Sequence, residues 1–168
     1  ATPVAPVTDP SPSSAAIDKL MAVVAQLRNP NGGCPWDLAQ THQSLLPYVL
    51  EEAHEVADAL RSGDDTELSD ELGDLLLQVV LHAQIAAERQ AFDLAQIAEG
   101  ISAKLVRRHP HVFGGEARSW EEIKAEERAA RGQSDASLSD RLRRKVRGLG
   151  PLAGAMAISL EAGGGGFA

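Results

Sequence analysis

Apolar side chains recur along this chain at the three- and four-residue spacing that is typical of amphipathic α-helices. In the first such segment, which runs from Ala15 to about Arg28, Ile17, Leu20 and Val24 fall on one helical face. The pattern predicts an all-α fold, an antiparallel helix bundle of about four core helices. Further helices are predicted from a cap at Thr41 or Ser44 to about Arg61, from about Thr66 to Gln90, from a cap at Asp93 to about Arg108, and after a capping box that starts at Ser119.

The helix predicted over residues 66–90 is apolar around almost its whole circumference. Its polar exceptions, Glu71, Asp74, Gln78 and His82, fall within one narrow stripe. A helix with this pattern is buried on nearly all sides. Because one short chain has too few helices to cover it, we expect homo-oligomerisation, to a homodimer or a homotetramer, to complete the bundle.

Proline and glycine clusters divide the chain into three parts. Residues 1–14 are rich in proline, serine and threonine, so we expect a disordered leader there. We interpret residues 15–131 as one helical domain. Residues 132–168 are expected to form a tail that is partly helical and ends in a glycine-rich run. Within the domain, loops are expected at residues 34–37 and 109–115.

The charge balance narrows the choice of partners. The 168 residues include 16 basic and 24 acidic side chains, which gives a net charge of −8. That charge repels phosphate backbones, so we expect no binding to nucleic acid. The apolar runs are too short to span a membrane, so we expect no membrane partner. The single cysteine, Cys34, excludes an intrachain disulfide framework and fits a reducing compartment. We therefore expect a cytoplasmic protein.

Two pairs of acids carry the candidate chemistry. Glu52 and Glu55 are spaced i, i+3, and so are Glu71 and Asp74, which places each pair on one helical face. On antiparallel neighbouring helices the pairs converge into a pocket of four carboxylates, with Glu51 beside it. A divalent cation relieves the repulsion between them. Mg²⁺ suits an all-oxygen set of ligands completed by water and phosphate, and Mn²⁺ is the alternative ion.

Two other interpretations of these acids stay open. Glu51-x-x-His54 matches half of the Glu-x-x-His pattern of di-iron carboxylate bundles, but Glu71 is followed three residues later by Asp74 instead of a histidine. A non-enzymatic helical interaction scaffold, whose acids bind Ca²⁺ or no metal, is the second alternative. The position of Glu71 and Asp74 at the start of the most apolar helix favours metal binding over an ordinary solvated face.

Several motifs that follow one another along the chain are distinctive as a set. Glu51-Glu52-x-x-Glu55 and Glu71-Leu72-Gly73-Asp74 are accompanied by Gly-Cys-Pro-Trp-Asp at residues 33–37, Gln-Thr-His at 40–42, and Lys-Leu-Val-Arg-Arg-His-Pro-His-Val-Phe-Gly at 104–114. Together they resemble the MazG family of all-α nucleoside triphosphate pyrophosphohydrolases. The resemblance covers about residues 17–130, and the segments outside the acidic motifs distinguish MazG from the wider superfamily.

The resemblance implies Mg²⁺-dependent hydrolysis of a nucleoside triphosphate, NTP or dNTP, between its α- and β-phosphates, giving a nucleoside monophosphate and pyrophosphate. Glu52, Glu55, Glu71 and Asp74 would hold the metal. Glu51 would orient or deprotonate the attacking water, so the expected catalytic residues are Glu51, Glu52 and Glu55.

The resemblance also implies where the substrate binds. Lys104, Arg107 and Arg108 are expected to contact the triphosphate, since a guanidinium fork matches phosphate geometry. Trp36 is expected to contact the base or the ribose, because its flat face suits stacking on a base.

Overall fold

The computed structural model describes residues 9–116 and 118–131, and those residues form helices and no strands. The all-α prediction is therefore confirmed for the described part of the chain. The expected tail at 132–168 and the leader residues 1–8 lie outside it. The helices are α1 (Pro12–Leu27), α2 (Pro35–Ala39), α3 (Leu46–Ser62), α4 (Asp65–Glu88), α5 (Leu94–Arg108), α6 (Pro110–Phe113) and α7 (Trp120–Ala130).

Helix α1 begins three residues before the predicted start at Ala15. The Ser11 hydroxyl accepts a hydrogen bond from the Ser14 backbone N–H at 3.1 Å, and Pro12 occupies the first helical position, where no N–H donor is needed. Residues 12–14 are thus helical, and the prediction that they belong to a disordered leader is wrong. The predicted apolar face is confirmed, since Val24 is fully buried and Leu20 packs against the core.

Two segments that we predicted to be loops contain short helices. Residues 35–39 form α2 and residues 110–113 form α6. Each has a proline in its first turn, which presets the helical φ angle without losing a hydrogen bond. Helices this short show no periodicity in the sequence, so the prolines and glycines around them were interpreted only as breaks.

The start of α3 also differs from the prediction. Its N-cap is Leu45, which makes no side-chain capping bond. Thr41 and Ser44, the predicted caps, instead bond to each other in the preceding turn, Thr41 N to Ser44 Oγ at 2.8 Å and Ser44 N to Thr41 Oγ1 at 3.1 Å. The turn that fixes the start of α3 is therefore built by these two hydroxyls.

The connection between α3 and α4 is short and strongly specified. Gly63 adopts the left-handed conformation with φ 75° and donates its N–H to the Ala59 carbonyl at 3.2 Å. Asp64 then caps α4 by accepting from the backbone N–H groups of Thr66 and Glu67 at 2.8 and 3.1 Å. A connection of this length makes α3 and α4 antiparallel neighbours.

The described residues fall into two compact units, 9–106 and 107–131. In the first unit, α4 packs against α3 and α1, and Leu94 at the start of α5 packs against the same core. A core of four helices, and its completion by further copies of the chain, stay predictions. The buried apolar cluster consists of Val24, Leu45, Val80, Leu81 and Ile85.

A buried arginine joins three elements of the first unit. Arg28, which follows α1 and is 8% exposed, donates through Nε and Nη2 to the two carboxylate oxygens of Glu88 at 3.0 and 2.8 Å. Its Nη1 donates to the carbonyl oxygens of Asp37 and Gln40. This paired guanidinium holds α2 and the segment after it against α1 and α4, which positions the chain that leads into α3.

The second unit is organised by α7. Ser119 and Glu122 form the predicted capping box, in which the Ser119 N–H donates to Glu122 Oε2 at 2.8 Å and the Glu122 N–H donates to Ser119 Oγ at 3.3 Å. Ile123, in the first turn of the helix, is buried. In neither unit is any described helix both long enough and apolar enough to cross a bilayer.

Candidate metal centre

Helices α3 and α4 bring the four predicted acids together. Glu52 and Glu55 on α3, and Glu71 and Asp74 on α4, each place one carboxylate oxygen within 4.8 Å of those of the other three. The first acid of each pair is half-buried and the second is exposed, so the cluster lies between the interior and the solvent. The predicted convergence is confirmed, and metal binding by this acid cluster stays a prediction.

The spacing and environment of the acid cluster suit a divalent cation. Oxygen ligands at ~2.1 Å from one octahedral Mg²⁺ lie about 3.0 Å apart when adjacent and about 4.2 Å apart when opposite. Separations below 4.8 Å require only small side-chain adjustments to reach those values. Glu52 Oε2 and Glu71 Oε2 are buried without a hydrogen-bond partner among the described residues. Buried anionic oxygens of this kind are costly unless a cation or a donor satisfies them, so the residues fit the ion.

Electrostatics within the acid cluster favour a bound cation or a bound proton. The pKa of Glu71 is raised to about 6, first by burial and then by a hydrogen bond with Glu55 and by repulsion from the charges of Glu55, Asp74 and Asp70. Burial also raises the pKa of Glu52, and the charges of its acidic neighbours add to the rise. Protons and metal ions therefore compete for the same oxygens.

Glu51 lies beside the acid cluster, as predicted, without being one of its four members. It is exposed on α3, and its charge contributes to the raised pKa of Glu52. His54 is exposed on the same helix and is not a member of the cluster either. The cluster is thus made of carboxylates, which suits a hard cation and lacks the nitrogen ligands of the di-iron pattern.

The histidine in the polar stripe of α4 is paired with another histidine. His82 Nδ1 lies 2.7 Å from His42 Nδ1, and the two rings stack with their centroids 5.0 Å apart. The pKa of His82 is lowered, first by burial and then by the charge of His42. One ring nitrogen donates and the other accepts, so each histidine satisfies the other.

The predicted substrate contacts in the first unit, Trp36 and Lys104, lie on separate helices. Trp36 lies on α2, is 48% exposed, and meets Tyr48 edge-on with ring centroids 5.6 Å apart. That arrangement fixes the ring while part of its surface stays in solvent. Lys104 lies on α5 and is half-buried. The contacts of these side chains with a nucleotide stay predictions.

The predicted phosphate ligands Arg107 and Arg108 converge on one carboxylate of the second unit. Arg108 donates from Nε and Nη2 to the two oxygens of Glu127 at 3.3 and 2.8 Å, and Arg107 Nη2 donates to Oε1 at 3.1 Å. The Glu127 side chain is only 10% exposed. Hydrogen bonds from Arg108 and Arg107, together with their charges, hold its pKa below the ordinary value despite burial. The Arg108 guanidinium also lies 4.9 Å from the centre of the Trp120 ring.

Sequence reasoning did not single out Glu127. It lies 19 residues after Arg108 and 20 after Arg107, a separation at which no helical spacing rule applies. Trp120 was recognised as part of a capping motif, without its contact with Arg108. Both contacts depend on the tertiary structure, which local sequence patterns do not reveal.

Comparison with known proteins assigns the family. Residues 40–113 match the MazG nucleotide pyrophosphohydrolase domain. The chain is 48% identical over 128 residues to the nucleoside triphosphate pyrophosphohydrolase of Escherichia coli (strain K12), an alignment that covers 71% of this chain and 49% of that protein. It is 46% identical over 121 residues to the nucleoside triphosphate pyrophosphohydrolase/pyrophosphatase MazG of Thermotoga maritima, covering 70% of this chain and 47% of that protein.

These alignments show that the chain spans about half the length of the curated relatives it matches. A solved structure, the crystal structure of a mazG-related protein from Thermotoga maritima, is similar at a TM-score of 0.51 and 29% sequence identity. That similarity covers 67% of this chain and 98% of the solved one. The domain match, the relatives and the helical fold together show that this chain belongs to the MazG family.

Proposed function

We propose that this chain is a Mg²⁺-dependent nucleoside triphosphate pyrophosphohydrolase. It cleaves an NTP or a dNTP between the α- and β-phosphates and releases a nucleoside monophosphate and pyrophosphate. The observation that carries the proposal is the acid cluster, in which four carboxylate oxygens lie within 4.8 Å of one another. The family assignment supports the reaction class, since relatives in that family carry the name of this activity.

In this proposal Glu52, Glu55, Glu71 and Asp74 hold the ion, with Mn²⁺ as a substitute for Mg²⁺. When bound, the ion neutralises phosphate charge and lowers the pKa of water. Glu52 Oε2 and Glu71 Oε2, which are buried without a hydrogen-bond partner in the described part of the chain, would gain the ion as a partner. Without the ion the cluster repels a free triphosphate, so we expect the enzyme to act on the metal complex of the nucleotide.

Glu51 is the proposed acceptor for the proton of the attacking water. Its carboxylate is exposed next to the cluster and its charge acts on Glu52, so water reaches it from the solvent. A carboxylate at this place orients water by accepting its hydrogen bond and takes up the proton as the water attacks the α-phosphorus. Glu52 and Glu55 complete the catalytic set by holding the metal side of the site.

The proposed substrate contacts divide by chemistry. Lys104, Arg107 and Arg108 supply the positive charge that a triphosphate needs, and the two arginines offer planar forks of N–H donors. Trp36 offers an aromatic face, on which base stacking is worth ~1–3 kcal/mol. The support for Trp36 is its partial exposure and its fixed ring.

Product analysis tests the proposed function. The protein is incubated with a panel of nucleoside triphosphates, with Mg²⁺ or with a chelator, and the products are separated by ion-exchange chromatography. We expect monophosphate and pyrophosphate only in the presence of the metal. Diphosphate and phosphate would show that a different bond is cleaved. No turnover across the panel would refute the activity and return weight to a non-enzymatic scaffold.

We also propose that the chain forms a homodimer or a homotetramer around α4. Leu72, Leu76 and Val79 lie on one side of that helix and are 47%, 37% and 38% exposed, an apolar stripe that a second copy would bury. Sedimentation velocity of Leu76→Glu is expected to show a smaller species than the wild type. Val23→Glu, which changes an exposed residue of α1, is the control and is expected to keep the wild-type sedimentation coefficient. A wild type that sediments as a monomer would refute the oligomer.

We further propose that the protein works in the cytoplasm on free nucleotides, without nucleic-acid or membrane partners. The support is the net charge of −8 and the single cysteine. Cell fractionation followed by immunodetection tests the location.

A further inference from the structure

Three buried oxygens with no hydrogen-bond partner among the described residues belong to the facing sides of α3 and α4. Two of them, Glu52 Oε2 and Glu71 Oε2, belong to the acid cluster. The third is Oε1 of Gln78, a residue that is only 6% exposed. All three atoms are hydrogen-bond acceptors. A buried acceptor of this kind indicates an unseen donor or cation, because leaving it unsatisfied is costly.

Gln78 lies on the face of α4 that carries Glu71 and Asp74. Gln78 follows Asp74 by four residues and Glu71 by seven, so at 100° per residue all three share one face of α4. The rise of the helix places the Cα of Gln78 about 6 Å along the axis from that of Asp74. Long side chains in helices lean towards the N-terminus, which here is the end that carries the acids.

His82, the fourth residue of the polar stripe on α4, does have a hydrogen-bond partner. His82, one turn beyond Gln78, is bonded to His42 at 2.7 Å. The stripe therefore contains a satisfied pair at one end, acids at the other, and between them an amide oxygen for which the described part of the chain supplies no donor. Ionised carboxylates cannot supply that donor, since they only accept hydrogen bonds.

We propose that Gln78 is a positioning residue for the metal centre, whose amide oxygen accepts a hydrogen bond from a water molecule in the hydration shell of the bound divalent ion. Mg²⁺ usually keeps several of its waters, and the outward side of each such water carries only donors. One hydrated ion thus satisfies all three orphaned oxygens, the two carboxylates directly and the amide through water. The inference deepens the proposed function because it rests on the same metal site.

The size of the effect follows from known sites. Residues that orient the ligands and waters around a metal typically change metal affinity by 10–100-fold when they are mutated. We therefore expect Gln78→Met, which keeps the length of the side chain and removes its polar atoms, to weaken Mg²⁺ or Mn²⁺ binding at least ~10-fold. The measurement is calorimetric titration of the metal into the full chain without nucleotide.

A matched control lies on the same helix. Gln84 is half-buried and donates to Glu88 at 3.3 Å, and it is not on the face that carries the acids. Gln84→Met is expected to leave metal affinity unchanged. In the presence of a chelator, Gln78→Met is expected to unfold at the wild-type temperature or above, because the substitution removes an unsatisfied buried amide.

The outcomes separate this inference from the proposed function. Wild-type metal affinity in a folded Gln78→Met variant would overturn it and leave Gln78 with a structural water only, or with a contact to the nucleotide. If Gln78→Met does not fold, Gln78→Asn, which retracts the amide by one methylene, carries the same expectation and the same refutation. Metal binding without hydrolysis of any nucleotide would refute the proposed function and leave the role of Gln78 standing.

Discussion

Two groups of charged side chains, each predicted to be functional, show opposite electrostatics. In the acid cluster of the first unit, burial and neighbouring charges raise the pKa of Glu52 and of Glu71. In the second unit, Arg107 and Arg108 hold the pKa of Glu127 below its ordinary value although Glu127 is also buried. The first group consists of acids alone, so a bound cation would stabilise it, whereas the second already contains its own counter-charges.

This difference changes the picture of the proposed substrate site. A phosphate that binds Arg108 has to use the N–H donors that Glu127 leaves or displace Glu127, because Nε and Nη2 of Arg108 already donate to that carboxylate. A metal ion that enters the acid cluster meets the opposite situation, because its ligands gain stabilisation and displace nothing except protons. We therefore expect the metal site to dominate the energetics of substrate binding and the arginines to tune it. Four measurements test this contrast, in order of decreasing effect.

The largest effect is expected from Glu52→Gln. The substitution removes a charge from the acid cluster and weakens its hold on the metal, so we expect nucleotide hydrolysis to fall by at least ~100-fold. The fold should survive, since the substitution removes one half-buried charge that is repelled by its acidic neighbours. Asp58→Asn, on the same helix, changes a side chain that is 75% exposed and paired with Arg61; it is the control and should keep wild-type turnover. Wild-type activity in Glu52→Gln would refute the assignment of the cluster.

The acid cluster was predictable from sequence because its determinants are local. Glu52 and Glu55 share a helical turn, and so do Glu71 and Asp74, while Gly63 specifies the tight turn between their helices. Periodicity places each pair on one face of its helix, and the short turn makes the two helices antiparallel neighbours. The α1 face and the Ser119 capping box were predictable for the same reason, since each depends on residues within a few positions of one another.

The arginine–Glu127 group was not predictable, because it joins residues 19 and 20 positions apart. Arg28 is similar, since its partner Glu88 lies 60 residues away. The short helices α2 and α6 escaped prediction for another reason, namely that a single helical turn has no repeat to detect. Local spacing thus predicts which charged residues share a helical face, and tertiary contacts decide which of those charges are neutralised.

The second measurement is the thermal stability of the wild type as a function of Mg²⁺. A ligand at 100 times its dissociation constant stabilises the folded state by ~2.7 kcal/mol, which for a domain of this size corresponds to a rise in Tm of about 5–10 °C. Glu52→Gln should show little of this rise, because its site binds the ion poorly. An equal rise in Tm in both proteins would show that the stabilising Mg²⁺ binds outside the acid cluster.

The third measurement neutralises the buried carboxylate of the second unit. Glu127→Gln removes charged hydrogen bonds to Arg107 and Arg108, so we expect the free energy of unfolding to fall by ~1–3 kcal/mol. Glu126→Gln, which breaks an exposed pair with Arg118, should cost less than about 1 kcal/mol. Denaturant titrations in chelator check both. A Glu127→Gln variant as stable as the wild type would show that the arginines do not stabilise the folded protein through the Glu127 charge.

The smallest effect is the pH dependence of stability without metal. Between pH 4.5 and about 6 the unfolded chain has lost the Glu71 proton that the folded chain still binds. The unfolded state therefore binds fewer protons, and the contribution of Glu71 to the free energy of unfolding falls as the pH rises through this interval. Glu71→Gln abolishes that contribution, so the stability of the variant relative to the wild type should increase over the interval and stay constant above it.

Glu127 has the opposite sign, because its pKa is lowered in the folded state. Its stabilising contribution is complete above pH 4.5 and is lost as the pH falls through the lowered pKa. Glu127→Gln should therefore be most destabilising relative to the wild type above pH 4.5, and this deficit should shrink in acid. The two difference curves, recorded by thermal unfolding in chelator, thus change in separate pH ranges. If both difference curves changed in the same pH range, the changes would reflect global unfolding in acid and not the separate surroundings of Glu71 and Glu127.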